Sequence, residues 1–246
     1  MNEYELIQGD CLEVMKEFPS QSIDFIFCDL PYGTTQNHWD VIIPFDQLWN
    51  QYNRLIKPDG AIVLTGSQPF TSLIVASNIK KFKTEWIWEK AIASGSLNAK
   101  RLPMKKHESV LVFAGPSGKT RYFPIMGEGK PYTTTATTFK TSNYGIQVRP
   151  PLVNDGTRYP TSIIEIANPR IAGGHPTQKP VALAEYFIKT YSKEGEIVMD
   201  NCMGSGSTGI AAIKNNRHFV GIERDTEIFQ KAKENIEPEL IEAVVF

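Results

Sequence analysis

Apolar positions in the first part of the chain alternate between strand-like runs and helical spacing. Residues 22–29 (SIDFIFCD) and 60–65 (GAIVLT) are short runs rich in Ile, Phe and Val, which is typical of buried strands. Between them, residues 45–56 carry apolar side chains at helical spacing and stop at the breaker 57–60 (KPDG). This order of strand, helix and strand predicts a mostly parallel sheet with helices on both faces.

The same alternation returns near the C-terminal end. It predicts helices over 180–191, 207–215 and 226–235, and strands over 196–200 and 218–223. The stretch between the two parts differs, because Pro, Gly, Thr and Tyr are frequent and only 109–114 (SVLVFA) predicts a solid strand. We therefore expect one α/β domain formed by residues 1–90 and 171–246, with a loop-rich insertion at 91–170.

Composition narrows the class of protein without defining a function. The 246 residues are 41% hydrophobic and 22% charged, which is ordinary for a globular protein. No apolar run approaches the roughly 18 residues of a membrane span, and the first ten residues lack a signal-peptide pattern. The three cysteines and four histidines show no metal-ligand spacing. We expect a cytoplasmic protein with reduced thiols, no disulfide and no metal.

Charge is segregated along the chain. Residues 80–150 contain 13 Lys and Arg against 4 Asp and Glu, a net charge of +9. The rest of the chain contains 13 against 23, a net charge of −10. A solvated basic surface would explain this segregation, and so would a face that contacts a polyanion such as nucleic acid.

The strongest local motif is a glycine loop that follows a predicted strand. In residues 196–212 (EIVMDNCMGSGSTGIAA) the strand ends at Asp200, and Gly204 opens a G-x-G-x-x-G pattern that leads into a helix. Such glycines allow tight turns and close approach of the backbone to a ligand at the helix N-terminus. No Lys follows the last glycine, so the motif is not a phosphate-binding P-loop.

An acidic residue at the end of the next strand, Glu223, is placed to accept hydrogen bonds from ribose hydroxyls. This much suits a nicotinamide dinucleotide and S-adenosylmethionine equally. A dinucleotide fold normally opens with this unit, however, and needs several strands after it, whereas only about 23 residues follow Glu223. The order of motifs therefore disfavours a nicotinamide-dependent oxidoreductase and favours a permuted S-adenosylmethionine fold.

The tetrapeptide Asp29-Leu30-Pro31-Tyr32 stands at the end of the first predicted strand, and we expect it to face the same crevice. An exocyclic purine amine is a poor nucleophile because its lone pair is delocalised into the ring. The Asp29 carboxylate and the Leu30 carbonyl can accept both amine hydrogens, and Pro31 fixes the backbone that orients this carbonyl. Tyr32 offers a flat face for a flipped base. Taken alone, the tetrapeptide also fits a strand followed by a Pro-Gly turn.

The sequence resembles the amino-type DNA methyltransferases of the beta class. The resemblance rests on four motifs, which are in chain order Gly9-Asp10, DLPY at 29–32, HPTQKP at 175–180 and DNCMGSGSTG at 200–209. It implies that Asp29 and Leu30 hold the target amine, that Pro31 supports them and that Tyr32 stacks the base. It implies S-adenosylmethionine as cofactor, contacted by Asp10, Lys179, Asp200, Gly204, Ser205, Gly206 and Glu223.

Two departures from the family pattern bear on these roles. Leu30 replaces the more usual first proline, although its carbonyl survives the change, and Asn201-Cys202 replaces the frequent Pro-Phe. Cytosine-N4 enzymes usually carry Ser where this chain has Asp29, so the resemblance favours adenine N6. The insertion occupies the target-recognition position of the family. Its candidate contacts to phosphates or guanine edges are Lys100, Arg101, Lys105, Lys106, Arg121 and Arg149.

We therefore expect a site-specific DNA methyltransferase that acts by direct in-line transfer to a flipped adenine, without a covalent enzyme intermediate. Cytosine N4, an RNA base, a protein amine and a non-catalytic DNA-binding relative remain as alternatives. The partners implied are DNA, a second copy of the chain in a homodimer, and a restriction endonuclease encoded separately. No membrane partner is expected.

Overall fold

A computed structural model describes residues 4–37, 40–167 and 179–244 of the chain, and the side chains up to 239. The strands are β1 (Tyr4–Gln8), β2 (Ile23–Cys28), β3 (Ile56–Gly66), β4 (Phe82–Ser94), β5 (Lys105–Ala114), β6 (Gly127–Glu128), β7 (Tyr132–Thr134), β8 (Thr137–Thr141), β9 (Gly145–Arg149), β10 (Leu152–Asn154), β11 (Thr157–Arg158), β12 (Ile163–Glu165), β13 (Ile197–Asp200) and β14 (His218–Glu223). The helices are α1 (Cys11–Val14), α2 (Phe45–Leu55), α3 (Phe70–Ser77), α4 (Val181–Tyr191), α5 (Ser207–Lys214) and α6 (Thr226–Val244).

Contacts divide the chain into two units, one formed by residues 1–123 and 162–246 and the other by 124–161. The first unit contains an eight-stranded sheet in the order β1-β14-β13-β2-β3-β5-β4-β12. Every neighbouring pair is parallel except the two that involve β5. From β2 the chain winds to β3, and from β13 it winds the other way to β14. The switch in winding therefore falls between β2 and β13, which is where open α/β sheets bind ligands.

Alternate residues of the central strands pack against helices on opposite faces of the sheet. In β2, Phe25 and Phe27 join a core with α4, α5 and α6, whereas Ile26 and Cys28 join a core with α1, α2 and α3. All six residues of β2 are buried, as expected for a parallel strand covered on both sides. The two helical layers confirm the predicted α/β fold class.

The predicted elements of the first and last parts are present with shifts of a few residues at their ends. Strands β1 and β4 and helices α1 and α3 were not predicted. In β4 only Trp86 and Trp88 are buried, with Ile87 between them and Glu85 and Glu89 on either side. Such a pattern resembles a surface segment until β5 and β12 are placed on either side. Helix α6 extends beyond the predicted end at 235.

The second unit, residues 124–161, consists of three two-stranded antiparallel pairs, β6–β11, β7–β10 and β8–β9. The guanidinium of Arg149 lies over the Phe139 ring at 4.7 Å from its centroid, and that of Arg158 over Tyr132 at 4.8 Å. These rings and Arg149 line or border a cavity of about 480 Å³. The predicted insertion, 91–170, is longer than this unit at both ends. Its role in target recognition stays a prediction.

Both ends of the second unit adjoin residues that are hydrogen-bonded within the first unit. At one end, the Phe123 N–H donates to the Thr190 carbonyl of α4 at 2.8 Å. At the other, the Ser162 carbonyl accepts from the Ile87 N–H of β4 at 2.7 Å. Residues 124–161 therefore form one contiguous excursion from the sheet.

Among the described helices, none has the length and apolar character needed to cross a bilayer.

Replacing Phe187 by Ala should destabilise the fold by about 3–5 kcal/mol, because a large buried ring leaves a cavity. Phe187 is fully buried on α4, with its ring 5.8 Å from those of Phe27 and Trp86. Chemical denaturation of both proteins measures the change. The control is Tyr144→Ala, at a position 77% exposed, which should cost less than about 0.5 kcal/mol. Equal costs would contradict the packing assigned to α4.

Candidate active site

Three strand ends bring polar side chains together in one crevice. Strand β2 lies between β13 and β3, with Met199 paired to Ile26 and Leu64 paired to Cys28. Asp29 follows β2, Asp200 ends β13 and Thr65 lies near the end of β3. The two motifs that the sequence analysis singled out are therefore neighbours in space, although 171 positions separate Asp29 from Asp200.

Asp29 is held by three donors. Its Oδ1 accepts hydrogen bonds from the Tyr32 hydroxyl at 2.7 Å and from the Thr65 hydroxyl. Its Oδ2 accepts from the Lys179 ammonium at 2.9 Å. The carboxylate is 33% exposed, so it is oriented by the protein and still reachable from the crevice. Each carboxylate oxygen can accept more than one hydrogen bond, which leaves acceptor capacity for an incoming amine.

The neighbours of Asp29 in the tetrapeptide differ in what they expose. The Leu30 side chain is 4% exposed and belongs to the core, so its carbonyl is what it can offer to a ligand. Pro31 is half-buried between them. The Tyr32 ring packs against Phe70 with centroids 5.0 Å apart. Burial and the Asp29 charge raise the pKa of the Tyr32 hydroxyl well above its usual value, which keeps it a donor to Asp29. Stacking of a base on Tyr32 stays a prediction.

The loop that follows Tyr32 is organised by Asp40, whose carboxylate accepts the N–H groups of Gly33, Thr34 and Thr35 at 2.7–2.9 Å. Burial raises the pKa of Asp40, but these hydrogen bonds outweigh it and lower the pKa below its usual value. Because Asp40 is 7% exposed, it acts as a fixed anchor. It fixes the backbone at 33–35, directly after the tetrapeptide.

Lys179 lies on the catalytic side of the crevice. Besides Asp29, its ammonium contacts Glu108 at 3.1 Å, and Glu108 in turn contacts Lys90 at 3.0 Å. Burial alone would lower the pKa of Lys179, but the Asp29 charge raises it well above the usual value. The structure thus pairs Lys179 with side chains of this chain. Its pairing with a cofactor carboxylate stays a prediction, and residues 175–178 of the same motif lie outside the described residues.

The glycine loop has one open position and two crowded ones. Gly204 has φ +54°, and a Cβ placed there would meet no atom within 4 Å. A Cβ on Gly206 (φ +89°) would lie 2.8 Å from the Ile236 side chain, and one on Gly209 would lie 2.7 Å from it. Gly206 and Gly209 therefore let α5 pack closely against α6, while Gly204 leaves open space beside the loop for a ligand.

Glu223 and Asp200 shape this loop from its two sides. The Glu223 carboxylate accepts the Gly204 N–H at 3.1 Å and the Asp225 N–H at 2.9 Å. Asp200 accepts the Cys202 N–H at 3.0 Å and the Thr208 hydroxyl at 2.6 Å. Burial raises the pKa of Asp200 to about 6. With 3% exposure, Asp200 supports the loop from beneath.

Asp10 and Ser205 complete the predicted cofactor residues. The Asp10 carboxylate caps α1 through the Leu12 N–H at 2.9 Å. The Gly9 N–H donates to the Glu223 carbonyl at 3.0 Å, so Asp10 and Glu223 lie at adjacent strand ends. The Ser205 carbonyl accepts from the Asn235 side chain at 2.9 Å. These contacts place Asp10 beside Glu223 and tie Ser205 to α6.

The three cysteines converge between the two motifs. Cys202 shares hydrogen bonds with both Cys11 and Cys28, and all three are free thiols. The hydrogen bond to Cys202, together with burial, raises the pKa of Cys11 far above its usual value, and burial raises that of Cys28 to about 12. Thiols that stay protonated are poor nucleophiles. Within the described parts of the chain, no group of His, Cys, Asp and Glu side chains could hold a metal ion.

The basic candidates occupy different settings. Lys100, Arg101, Lys105, Lys106 and Arg149 are exposed, which suits contact with a polyanion. Arg121 differs, because its guanidinium forms ion pairs with Asp24, Asp59 and Glu196 and is 19% exposed. These pairs give Arg121 a structural role in the first unit and argue against the phosphate contact predicted for it.

Sequence reasoning missed Thr65, Glu108, Lys90 and Asp40. Thr65 ends the predicted strand 60–65, so the argument that placed Asp29 at the crevice applied to it as well. Glu108 lies beside the predicted strand 109–114, but β5 runs against its neighbours. It is therefore the beginning of β5, and not its end, that reaches the crevice. Nothing in the local sequence marks Lys90 or Asp40.

The chain is similar in sequence to known DNA methyltransferases. Residues 23–234 match the N6/N4 methyltransferase family model described as DNA methylase. Type II methyltransferase M2.DpnII of Streptococcus pneumoniae is 26% identical over 97% of this chain and 91% of its own length. DNA adenine methyltransferase YhdJ of Escherichia coli (strain K12) is 29% identical over 90% of this chain and 79% of its own.

Two solved structures share the fold. The crystal structure of an M1.HpyAVI–SAM complex has a TM-score of 0.64 at 26% identity and covers 94% of this chain and 99% of that one. The cytosine-N4-specific PvuII DNA methyltransferase has a TM-score of 0.67 at 17% identity and covers 98% of this chain and 92% of that one. At that identity the second likeness concerns the fold alone.

Replacing Gly206 by Ala should cost about 2–5 kcal/mol of stability, because it adds left-handed backbone strain and overpacking against Ile236. The matched control is Gly95→Ala, which has φ +92° and open space around a Cβ. That control should show the backbone strain alone, about 1–2 kcal/mol. Denaturant unfolding compares the two. If both variants lose the same stability, the close packing of the loop on α6 is not what requires Gly206.

The raised pKa of Asp200 predicts a pH dependence of stability. The folded state binds a proton at Asp200 more tightly than the unfolded state does. The resulting stabilisation is complete below the ordinary pKa of 3.8 and is lost as pH rises through about 6. Between pH 4 and 7, the free energy of unfolding of the wild type should fall by about 2 kcal/mol relative to Asp200→Asn. A pH-independent difference in denaturant melts would contradict the raised pKa.

Proposed function

The chain belongs to the DNA methylase family of N6- and N4-type enzymes, and we propose that it transfers the methyl group of S-adenosylmethionine to N6 of adenine in DNA. The observation that carries the proposal is the position of the Asp29 carboxylate. It stands at the end of β2, beside the glycine loop that follows β13, and three donors fix its orientation. An acceptor for an amine and a loop for a cofactor thus share one crevice.

The residues of the loop fit the cofactor proposed. The Glu223 carboxylate is placed to accept ribose hydroxyls, and Gly204 leaves open space beside it. Ser205 and Gly206 follow Gly204 in the loop, and we propose that they contact the cofactor through their backbone, while Asp200 holds the loop in place. Asp10 lies at the adjacent strand end, where the adenine part is expected. When bound, S-adenosylmethionine supplies a methyl group on a positively charged sulfur, which a neutral amine can attack.

The protein's own contribution is position and electrostatics. Asp29 and the Leu30 carbonyl accept the two hydrogens of the target amine, which favours a pyramidal nitrogen with an available lone pair. Tyr32 stacks the base, which must leave the duplex to reach the crevice. When the nitrogen gains a methyl group it must lose a proton, and the Asp29 carboxylate is the acceptor in place to receive it. Protonated thiols at Cys11 and Cys28 agree with direct transfer.

Adenine is favoured over cytosine by two observations. Asp29 occupies the position where cytosine-N4 enzymes usually carry Ser. YhdJ, a relative at 29% identity, is named as a DNA adenine methyltransferase. The likeness to the cytosine-N4 enzyme does not weigh against this, because at 17% identity it concerns the fold. The exposed basic side chains at 100–106 and Arg149 are the proposed contacts to DNA. A homodimer, a separately encoded endonuclease and a cytoplasmic location stay predictions.

The test is transfer of labelled methyl from S-adenosylmethionine to unmethylated genomic DNA, followed by nucleoside analysis. We expect the label in N6-methyladenine. Label in N4-methylcytosine would retain the mechanism and overturn the assignment of the base. Absence of label from DNA, with cofactor binding confirmed by calorimetry, would overturn the proposed substrate and direct the search to RNA and protein amines.

Asp29→Ala should reduce methyl transfer by at least about 100-fold, because it removes an acceptor aligned with the reacting nitrogen. Cofactor affinity should change less than about twofold, since Asp29 belongs to the catalytic strand end and not to the glycine loop. The control is Glu13→Ala on the exposed surface of α1, which should retain full activity. Near-normal turnover by the Asp29 variant would overturn its assigned role.

A further inference from the structure

Four charged side chains of alternating sign form a line that ends at Asp29. Lys90 Nζ lies 3.0 Å from Glu108 Oε1, Lys179 Nζ lies 3.1 Å from Glu108 Oε2, and Lys179 Nζ lies 2.9 Å from Asp29 Oδ2. Lys90, Glu108 and Lys179 are each less than 18% exposed. The mechanism above uses Asp29 alone, so the other three charges require a separate explanation.

Burying these charges is costly, since each ion loses much of its hydration. Two cations and two anions in alternation compensate one another. If a single partner were removed, a buried charge would lose its counterion or would face a neighbour of the same sign. Apolar side chains at the same positions would cost less desolvation free energy. The arrangement therefore indicates a task that needs a charge held at a fixed position.

The task follows from where each side chain is attached. Glu108 and Lys90 stand on neighbouring strands, β5 and β4, in the hydrogen-bonded sheet. Lys179 instead stands before the first turn of α4, outside any strand. A lysine side chain has several rotatable bonds and loses about 2 kcal/mol of conformational entropy when it is fixed. Glu108 is the charged group on a rigid element that can fix it, through an ion pair that does not have hydrogen-bond geometry.

Fixing Lys179 also fixes the plane of the Asp29 carboxylate. The hydroxyls of Tyr32 and Thr65 hold Oδ1, and Lys179 holds Oδ2 from the other side. If the ammonium moves away, Oδ2 loses its donor and the carboxylate can rotate about its side-chain bonds. The target amine must donate hydrogen bonds to both Asp29 and the Leu30 carbonyl. With a rotating carboxylate, both hydrogen bonds would form together less often.

We propose that Glu108 is a positioning residue for methyl transfer, which acts by holding the Lys179 ammonium against the Asp29 carboxylate. The inference rests on the proposed function, because it assigns Asp29 to the target amine. Glu108 does not touch the substrate in this scheme. It sets the rate of the chemical step through Lys179, and Lys90 compensates its charge.

The test variant is Glu108→Gln, which keeps the size of the side chain and removes its charge. We expect kcat for methyl transfer to DNA to fall about 10- to 100-fold, as for a small misplacement of a reacting group. The dissociation constant for S-adenosylmethionine should change less than about twofold. The rate should also fall at alkaline pH, where that of the wild type stays level, because Lys179 loses a charge that raises its pKa.

The groups that face Lys179 among the described residues are Asp29, Tyr32 and Glu108. Glu108 raises the pKa of Tyr32 as well as that of Lys179. The profile is therefore also measured in Tyr32→Phe and in Tyr32→Phe/Glu108→Gln, where an alkaline decline that only the double variant shows reports on Lys179. Glu108→Asp should recover part of the rate, since it restores the charge at a shorter reach. A merely structural role for Glu108 would move neither the pH profile nor the split between kcat and cofactor affinity.

Two controls separate positioning from damage to the fold. Glu239→Gln breaks a comparable ion pair, Lys214–Glu239 at 3.0 Å with Glu239 21% exposed, and should leave kcat unchanged. The double variant Lys90→Gln/Glu108→Gln removes the cation that Glu108→Gln leaves without its partner. It should regain stability in thermal melts yet remain slow, because Lys179 is still unsupported.

The outcomes distinguish this inference from the proposed function. If the wild type does not methylate DNA, the proposed function fails before Glu108 is tested. If the wild type is active and Glu108→Gln matches it in kcat and pH profile, the positioning role is wrong. Recovery of the full wild-type rate in the double variant would also overturn it, since the defect would then come from the stranded charge of Lys90.

Discussion

The pairing of β2 with β13 is the constraint on which the other features of the site depend. Val198 pairs with Phe25 and Met199 with Ile26, which joins segments from opposite ends of the chain. Because both strands are parallel and buried on both faces, their carboxyl ends meet at one edge. This pairing alone brings the acceptor at Asp29 next to the glycine loop. Any change that slips this register would separate the two halves of the reaction.

Much of the fold could be predicted from the sequence, for reasons that also explain the omissions. Fully buried strands such as β2 show continuous apolar runs, and amphipathic helices such as α2 show their period directly. Strand β4 is an exception, because it buries only two Trp side chains and its remaining positions are half-buried or exposed. Its identity depends on the neighbours β5 and β12, which a local pattern does not contain.

The site divides in the same way. Residues carried by motifs, such as Asp29, Gly204 and Glu223, could be named from spacing and strand ends. The structure adds the hydrogen-bond and ion-pair partners of those residues, which come from distant positions in the sequence. Lys179 lies 150 positions from Asp29, and the residue type suits a cofactor carboxylate as well as a protein one. Likewise, nothing in the composition of a basic segment separates a paired Arg121 from its exposed neighbours.

The second unit is a single excursion, residues 124–161, whose flanking residues Phe123 and Ser162 are hydrogen-bonded to the helix and the strand of the first unit. A segment attached in this way can change in length or sequence, since the sheet keeps its own hydrogen bonds whatever lies between the two attachment points. The strand order that brings Asp29 to the glycine loop would then stay the same while this segment varies.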